Sequence, residues 1–288
     1  KGNDMRIVYV NGQFTNEEDA KISVFDRGFL FADAVYEGVA VIGGKLVDFK
    51  AHMDRLARSC GELDIPLNFN YDQLLNLNRQ IVARNELEEG FIYLQITRGS
   101  ADRDFAFDNA KLQQSLVIFT QSKPIVENPK VDKGFTIVTV DDLRWGRCDI
   151  KTVQLLYPSL AKMEAVKQGA DDAWFVKDGM VMEGTSNNAF IVTKDDVIVT
   201  RQLSNAILPG ITRSALLKYS NESDMHLEER GFTLEEAYEA KEAFITSSSL
   251  FVMPVTHINK KPIGDGKSGD ISKYLRKLYI EESLKTVI

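Results

Sequence analysis

Ser122-Lys-Pro-Ile-Val-Glu-Asn-Pro-Lys-Val-Asp-Lys133 stands near the middle of the chain, with two prolines, four charged side chains ahead of its final lysine and no apolar periodicity. Proline fixes φ and removes a backbone donor, so this run reads as a connector rather than a helix or strand. It predicts a first domain over residues 5–122, a connector over 123–133 and a second domain over 134–288. Residues 1–4 read as a short extension ahead of Met5.

On the N-terminal side, Arg6-Ile-Val-Tyr-Val10 runs into Asn11-Gly12, a strand entering a hairpin. Ala34-Val-Tyr-Glu-Gly-Val-Ala-Val-Ile42 stops at Gly43-Gly44 and resumes at Lys45-Leu-Val-Asp-Phe49, a second hairpin. Met53, Leu56, Ala57, Cys60 and Leu63 recur at helical spacing, as do Leu74, Leu77, Ile81 and Val82. The β-rich runs 91–97 and 116–120 flank a polar loop. On the C-terminal side the patterns predict strands at 135–140, 173–176, 181–183, 189–192 and 197–200. Helices are predicted at 159–168, 212–219, 234–240 and 271–284. Short strands mixed with helices make the fold class α+β in two domains, and lack the regular alternation of a doubly wound dinucleotide fold.

Composition narrows the partners. The 288 residues are 44% hydrophobic and 27% charged, as in globular proteins. With 35 basic against 42 acidic residues the net charge is −7, and no Lys/Arg cluster offers the stripe that a nucleic acid needs. No apolar run approaches the roughly 20 residues of a membrane span. Two cysteines, Cys60 and Cys148, make no disulfide framework and stand at no metal-ligand spacing from the three histidines, so a cytoplasmic location is expected.

Several segments carry chemical potential. Lys151 closes Trp145-Gly-Arg-Cys-Asp-Ile-Lys151 after a strand. A lysine whose pKa is lowered by burial attacks carbonyls, although most lysines are solvated surface charges. Glu183 ends a strand and is followed by Gly184-Thr-Ser-Asn-Asn188, either a hairpin turn or an acid that holds a ring nitrogen protonated. In Leu208-Pro-Gly-Ile-Thr-Arg213, the amides of Ile211 and Thr212 open a helix and suit a phosphate, unless this is a plain Pro-Gly turn. Thr246-Ser-Ser-Ser249 offers hydroxyls to the same cup or is a polar strand end. Tyr36 lies in a strand, and Arg55 is either a phosphate ligand or an exposed ion pair of little consequence.

A lysine, a strand-end acid and a helix-start anion site are the parts that pyridoxal 5'-phosphate requires. The motifs Asp26-Arg-Gly-Phe29, Val35-Tyr-Glu37, His52-Met-Asp-Arg-Leu56, Gln95-Ile-Thr-Arg-Gly99, Arg144-Trp145, Cys148-Asp-Ile-Lys151, Glu183-Gly184 and Gly210-Ile-Thr-Arg213 extend the pattern over nearly the whole chain. In these segments the sequence resembles the fold-type IV pyridoxal-phosphate-dependent aminotransferases, a superfamily that includes branched-chain enzymes. The resemblance is strongest to the D-amino-acid aminotransferases.

That resemblance implies a smaller N-terminal α/β domain and a larger C-terminal domain with a β-barrel-like core, with the cofactor between them. It implies Lys151 as the Schiff-base lysine and Glu183 as the partner of the pyridine nitrogen. Arg55, Ile211 and Thr212 would hold the phosphate, with Ser247 and Ser248 nearby and Leu208 on the cofactor ring. Tyr36, Tyr93 and Arg103 would line the substrate site. A homodimer is implied, the loop over residues 99–107 reaching the neighbouring subunit. The implied reaction moves the amino group of a D-amino acid to a 2-oxo acid acceptor by a ping-pong route.

Three departures bear on substrate. Phe105 replaces a histidine that accompanies the carboxylate-binding arginine in these relatives, Ala40 replaces a cation, and Phe31-Ala-Asp-Ala34 replaces a Gly-Asp-Gly pattern. They leave an (R)-amine transaminase, a branched-chain L-amino-acid aminotransferase, an aminodeoxychorismate-lyase-like enzyme and a non-catalytic dimeric binding protein as alternatives. Arg103 and Arg147 are the expected sources of a local positive pocket.

Overall fold

A computed structural model describes residues 5–288 apart from residue 224. By its contacts the chain forms two compact units. One runs to Pro124 and takes back Ile150–Gln154 and Thr286–Ile288; the other comprises Ile125–Asp149 and Leu155–Lys285. The grouping therefore returns to the first unit twice, where the sequence reading has a single cut.

The first unit contains β1 (Ile7–Val10), β2 (Gln13–Asn16), α1 (Arg27–Phe31), β3 (Ala34–Ile42), β4 (Lys45–Leu46), α2 (Phe49–Glu62), α3 (Tyr71–Arg84), β5 (Glu89–Thr97) and β6 (Leu116–Ser122). Its strands form one antiparallel sheet in the order β2-β1-β6-β5-β3-β4. Alternation decides the two faces. Val35, Val39, Val41, Ile92, Leu94, Ile96, Leu116 and Ile118 pack with Met53, Leu56, Cys60, Leu74 and Ile81 of α2 and α3 in one core. Tyr36, Tyr93 and Phe119 stack together on the opposite face. α3 starts with a capping box in which the Asn70 side chain takes the Gln73 N–H and the Gln73 side chain takes the Asn70 N–H, both at 2.9 Å.

Residues 150–154 join this unit through β3. Tyr36 N–H donates to the Lys151 carbonyl (3.0 Å), Val153 N–H donates to the Ala34 carbonyl (3.1 Å), and Val35 bridges Thr152. Since β4 pairs only with Val41 and Ile42, this edge of β3 would otherwise leave backbone groups unpaired.

The second unit contains α4 (Lys130–Lys133), β7 (Phe135–Asp141), α5 (Leu156–Lys167), β8 (Asp172–Lys177), β9 (Met180–Gly184), β10 (Asn188–Val192), β11 (Ile198–Thr200), α6 (Ile211–Glu222), β12 (Leu227–Glu229), α7 (Leu234–Glu239), β13 (Glu242–Ser247), β14 (Phe251–Ile258), β15 (Lys261–Pro262) and α8 (Asp270–Leu284). Its mixed sheet runs β12-β11-β10-β13-β14-β7-β8-β9, with β15 beside β14. A short turn leads from β9, at one end of the sheet, to β10 between β11 and β13, and in it Gly184 N–H donates to the Asn187 carbonyl (2.8 Å).

Sequence patterning misses β14. Pro254 within a run argues against a central strand, yet β14 lies between β13 and β7. Its ladder with β7 begins only at Val255, so Pro254 stands at the margin of that pairing. The connector is also more ordered than its composition predicts. Lys130–Lys133 form a helical turn, Ile125 is fully buried, and the Arg276 guanidinium donates to the Ile125 and Val126 carbonyls.

Candidate active site

In the first unit, Lys151 and two of the expected substrate residues come together. Lys151 Nζ lies 4.2 Å from the centre of the Tyr36 ring. Tyr36 stacks on Tyr93 (5.3 Å between centroids), and Tyr93 stacks on Phe119 (4.8 Å). Gly38 lies directly across from Tyr93 in the β3–β5 ladder, with open space where a side chain would stand. Among the described residues no carboxylate lies within 4 Å of Lys151 Nζ. The amine therefore meets an aromatic face instead of an anion. Burial raises the Tyr93 phenol, which stays protonated and donates to Gln95 Oε1 (2.8 Å).

Arg55 is engaged from the helix-facing side of the same strand. Its Nε and Nη2 donate to the two Glu37 oxygens at 2.8 Å each, and His52 Nδ1 lies 2.7 Å from Glu37 Oε2. Burial would raise the Glu37 carboxyl, but the charge and hydrogen bonds of Arg55, joined by His52, outweigh it and hold the pKa at about 2. The exposed, inconsequential ion pair left open by sequence reading is thus corrected. Arg55 is 8% exposed, because α2 turns this face onto the sheet.

In the second unit, Glu183 at the end of β9 is fixed through both oxygens. Arg144 Nη1 donates to Oε1 (2.5 Å), while Asn188 Nδ2 (3.0 Å) and the Leu208 N–H (3.1 Å) donate to Oε2. Arg144 also grips Asp142 through Nε and Nη2 and lies over the Phe175 ring. Burial works against its charge, but Asp142 and Glu183 more than offset this and raise its pKa. Asn188 ties the region together, since its amide also donates to the Leu208 carbonyl (3.0 Å). A Cβ on Gly210 would fall 2.1 Å from Asn188 Oδ1, so glycine there lets the start of α6 approach.

The phosphate expectation meets a direct test in these residues. α6 is 12 residues long and opens at Gly210 with no side-chain cap, so its first amides point outward. The hydroxyls of Thr212, Thr246 and Ser247 are buried without a hydrogen-bond partner. An unmet buried hydroxyl costs about 1–3 kcal/mol, a debt that phosphate oxygens would remove. Thr246 faces Asn188 across the β10–β13 ladder, which places it beside the Glu183 brace. The donor set fits a pyridoxal phosphate, since unmet hydroxyls and helix-start amides suit a phosphate and a braced carboxylate suits a protonated ring nitrogen. Ser248 lies in the turn that follows β13.

Arg103 is exposed on the 99–107 loop of the first unit, over the Phe31 and Phe105 rings (5.3 and 5.6 Å). Arg147 pairs with Asp149, Nε to Oδ1 at 2.9 Å and Nη2 to Oδ2 at 3.0 Å, so much of its charge is neutralised locally. Neither cysteine competes as a nucleophile, for burial pushes Cys60 up to about 12 and Cys148 up to about 11. Sequence reading gave no role to Arg144, Asp142, Glu37 or His52. The Arg144-Trp145, Val35-Tyr-Glu37 and His52-Met-Asp-Arg-Leu56 motifs mark the first, third and fourth of these without revealing their partners.

Comparison with known proteins gives the chain its family. A D-alanine aminotransferase of Staphylococcus aureus (strain N315) is 38% identical over 274 residues, 94% of this chain and 96% of that protein. A D-alanine aminotransferase of Bacillus licheniformis is 35% identical over 98% of this chain and its own full length. The branched-chain amino acid aminotransferase of T.th., solved with pyridoxamine 5'-phosphate, superposes with a TM-score of 0.89 at 25% identity, over 99% of this chain and 98% of that one. Residues 34–258 match the family model for amino-transferase class IV. That match spans both the Lys151 strand edge and the Glu183 brace, and the chain belongs to the class IV aminotransferase family.

Proposed function

We propose that the protein is a pyridoxal-phosphate-dependent transaminase that moves the amino group of a D-amino acid, such as D-alanine or D-glutamate, to a 2-oxo acid such as 2-oxoglutarate or pyruvate. The observation that carries the cofactor is the trio of unpartnered buried hydroxyls, Thr212, Thr246 and Ser247, in the same unit as a carboxylate held by three donors. The D-alanine aminotransferase relatives support the donor class.

When bound, the cofactor supplies a carbonyl for amine exchange and a ring that takes up the electron pair of the breaking Cα–H bond. Lys151 would hold the cofactor through its Nζ, which would take and return the α-proton of the donor. Glu183 holds the proton on the ring nitrogen, while Arg144, Asn188 and the Leu208 N–H keep that carboxylate from turning away. Leu208 would pack on the ring. Arg55, the Ile211 and Thr212 amides, Ser247 and Ser248 would hold the phosphate. Tyr36 and Tyr93 line the substrate side, and Arg103 pairs with the substrate carboxylate.

The working form is a homodimer in the cytoplasm. Leu156, Leu160 and Met163 stand exposed on one face of α5, and Val24, Phe25 and Phe29 are exposed in the first unit, apolar surfaces that a second copy would cover. Among the described residues no helix is long and apolar enough to cross a membrane.

Mixing the cofactor-loaded protein with D-alanine, D-glutamate, L-leucine and (R)-1-phenylethylamine tests the donor. Loss of the visible absorbance should be fastest with the D-amino acids. Decay with L-leucine alone would sink the reading, and fastest decay with the amine would make the protein an amine transaminase. Borohydride should fix the cofactor on Lys151, and Lys151→Ala should lower turnover at least ~10²–10⁴-fold.

A further inference from the structure

A second charged cluster in the first unit takes no part in the chemistry above. One oxygen of Asp33, Oδ2, accepts from Arg27 Nε (2.8 Å) and from Arg98 Nε (2.7 Å). Both guanidiniums are buried, at 6% and 5% exposure. They stand on the Phe107 ring, Arg27 Cζ at 4.7 Å and Arg98 Cζ at 4.1 Å from its centre. Arg27 Nη1 also donates to the Asp104 carbonyl (2.7 Å). The remaining nitrogens of Arg98 reach the carbonyls of Leu63 (2.7 Å) and Asp64 (3.0 Å), behind α2, and Asn109 Oδ1 (3.1 Å).

These contacts hold both ends of the loop that carries Arg103. Its base is closed where Arg27 N–H donates to the Gly99 carbonyl (2.8 Å) and Ser100 bridges both Asp26 and Gln113. Its far side is held at Asp104 and Phe107 by the two arginines, with the Phe105 ring edge-on to Phe31 (5.6 Å between centroids). Between them Arg103 makes no ion pair among the described residues and lies over Phe31 and Phe105. Two buried guanidiniums this close repel unless a carboxylate lies between them, so their geometry depends on Asp33.

We propose that Asp33 is a positioning residue for substrate recognition. Its carboxylate sets Arg27 and Arg98 against Phe107, and so fixes the loop that presents Arg103 to a carboxylate-bearing substrate. The inference rests on the reading of Arg103 given above. It adds a residue, remote from Lys151 and Glu183 in sequence, that governs affinity for the substrate carboxylate without touching it.

The test uses the full-length, cofactor-loaded protein with D-alanine as donor and limited trypsin cleavage after Arg103 as an independent readout. Asp33→Asn keeps the shape and removes the charge. It should raise KM for D-alanine about tenfold with kcat within about twofold, and should speed cleavage at Arg103 by a similar factor. Phe107→Ala, which leaves every buried charge in place, should do the same, and Phe107→Tyr should restore both, so the outcome does not hang on whether Asp33→Asn folds. Arg103→Ala is the reference. If it raises KM while Asp33→Asn and Phe107→Ala do not, the positioning role is overturned. If Arg103→Ala leaves KM unchanged, the reading of Arg103 fails; unaltered cleavage of the two loop variants would separately overturn the lock.

Discussion

The two units each bury a carboxylate against an arginine, and they balance the charge in opposite ways. In the first, one carboxylate, Glu37, serves two basic side chains, Arg55 and His52. In the second, one guanidinium, Arg144, serves two carboxylates, Asp142 and Glu183. The first arrangement carries no surplus negative charge and suits an arginine that faces an anion. The second is one negative charge in excess, held in place by neutral donors from Asn188 and Leu208, and suits a partner that is a cation. Each cluster thus matches in sign the group proposed for it, an anion at Arg55 and a protonated ring nitrogen at Glu183.

The strongest way to break this comparison is Glu37→Gln. It leaves the Arg55 guanidinium buried without its counter-charge and should cost about 3–5 kcal/mol, read as a lower denaturation midpoint. The same carboxylate has an acid signature. Its folded pKa of about 2 lies below the ordinary 4.5, so its contribution is complete above pH ~4.5 and is lost as pH falls toward 2. That contribution is about 3 kcal/mol. Glu37→Gln should flatten this part of the stability profile, and an unchanged acid limb would refute the assignment.

Arg144→Met removes the cation of the second cluster and leaves its carboxylates. Two carboxylates then share a site without a cation, which should cost roughly 2–3 kcal/mol at neutral pH, the worth of the hydrogen bonds lost to charged groups. Like charges hold a proton more tightly, so the deficit should shrink, not grow, as pH falls from 7 to 4. Urea melts at pH 4 and pH 7 check the sign. The visible spectrum of the loaded variant should also change, since Glu183 loses the contact that fixes Oε1.

Ala32→Gly is the smallest expected change and an uncharged control. Ala32 caps α1 in the left-handed region, φ 55. Relief of ~1–2 kcal/mol of strain is partly offset by ~0.5–1 kcal/mol of glycine entropy, for a net gain of about 0.5 kcal/mol. Because no charge moves, the gain should be the same at pH 4 and pH 7.

Local signals made much of the fold legible. The helical spacing around Met53 and Leu74, the alternation from Ala34 to Ile42 and the acid-then-glycine pair at Glu183 each reflect a periodicity or turn chemistry contained within a few residues. β14 escaped because Pro254 is tolerated only through the late start of a ladder formed with a strand more than a hundred residues earlier. The unpartnered hydroxyls likewise escaped, since whether Thr212 and Thr246 find acceptors depends on neighbours from other elements.

Short spacings along the chain were enough to mark an α+β protein with a lysine, a strand-end acid and a helix-start anion site, because each of those features is local. Only the tertiary structure decided their electrostatic company. Lys151 joins the edge of β3, Arg55 meets Glu37 18 positions away, and Arg144 meets Glu183 across 39. Ion pairs at such separations follow no period along the chain. They exist because burial makes an unpaired charge too costly to leave alone.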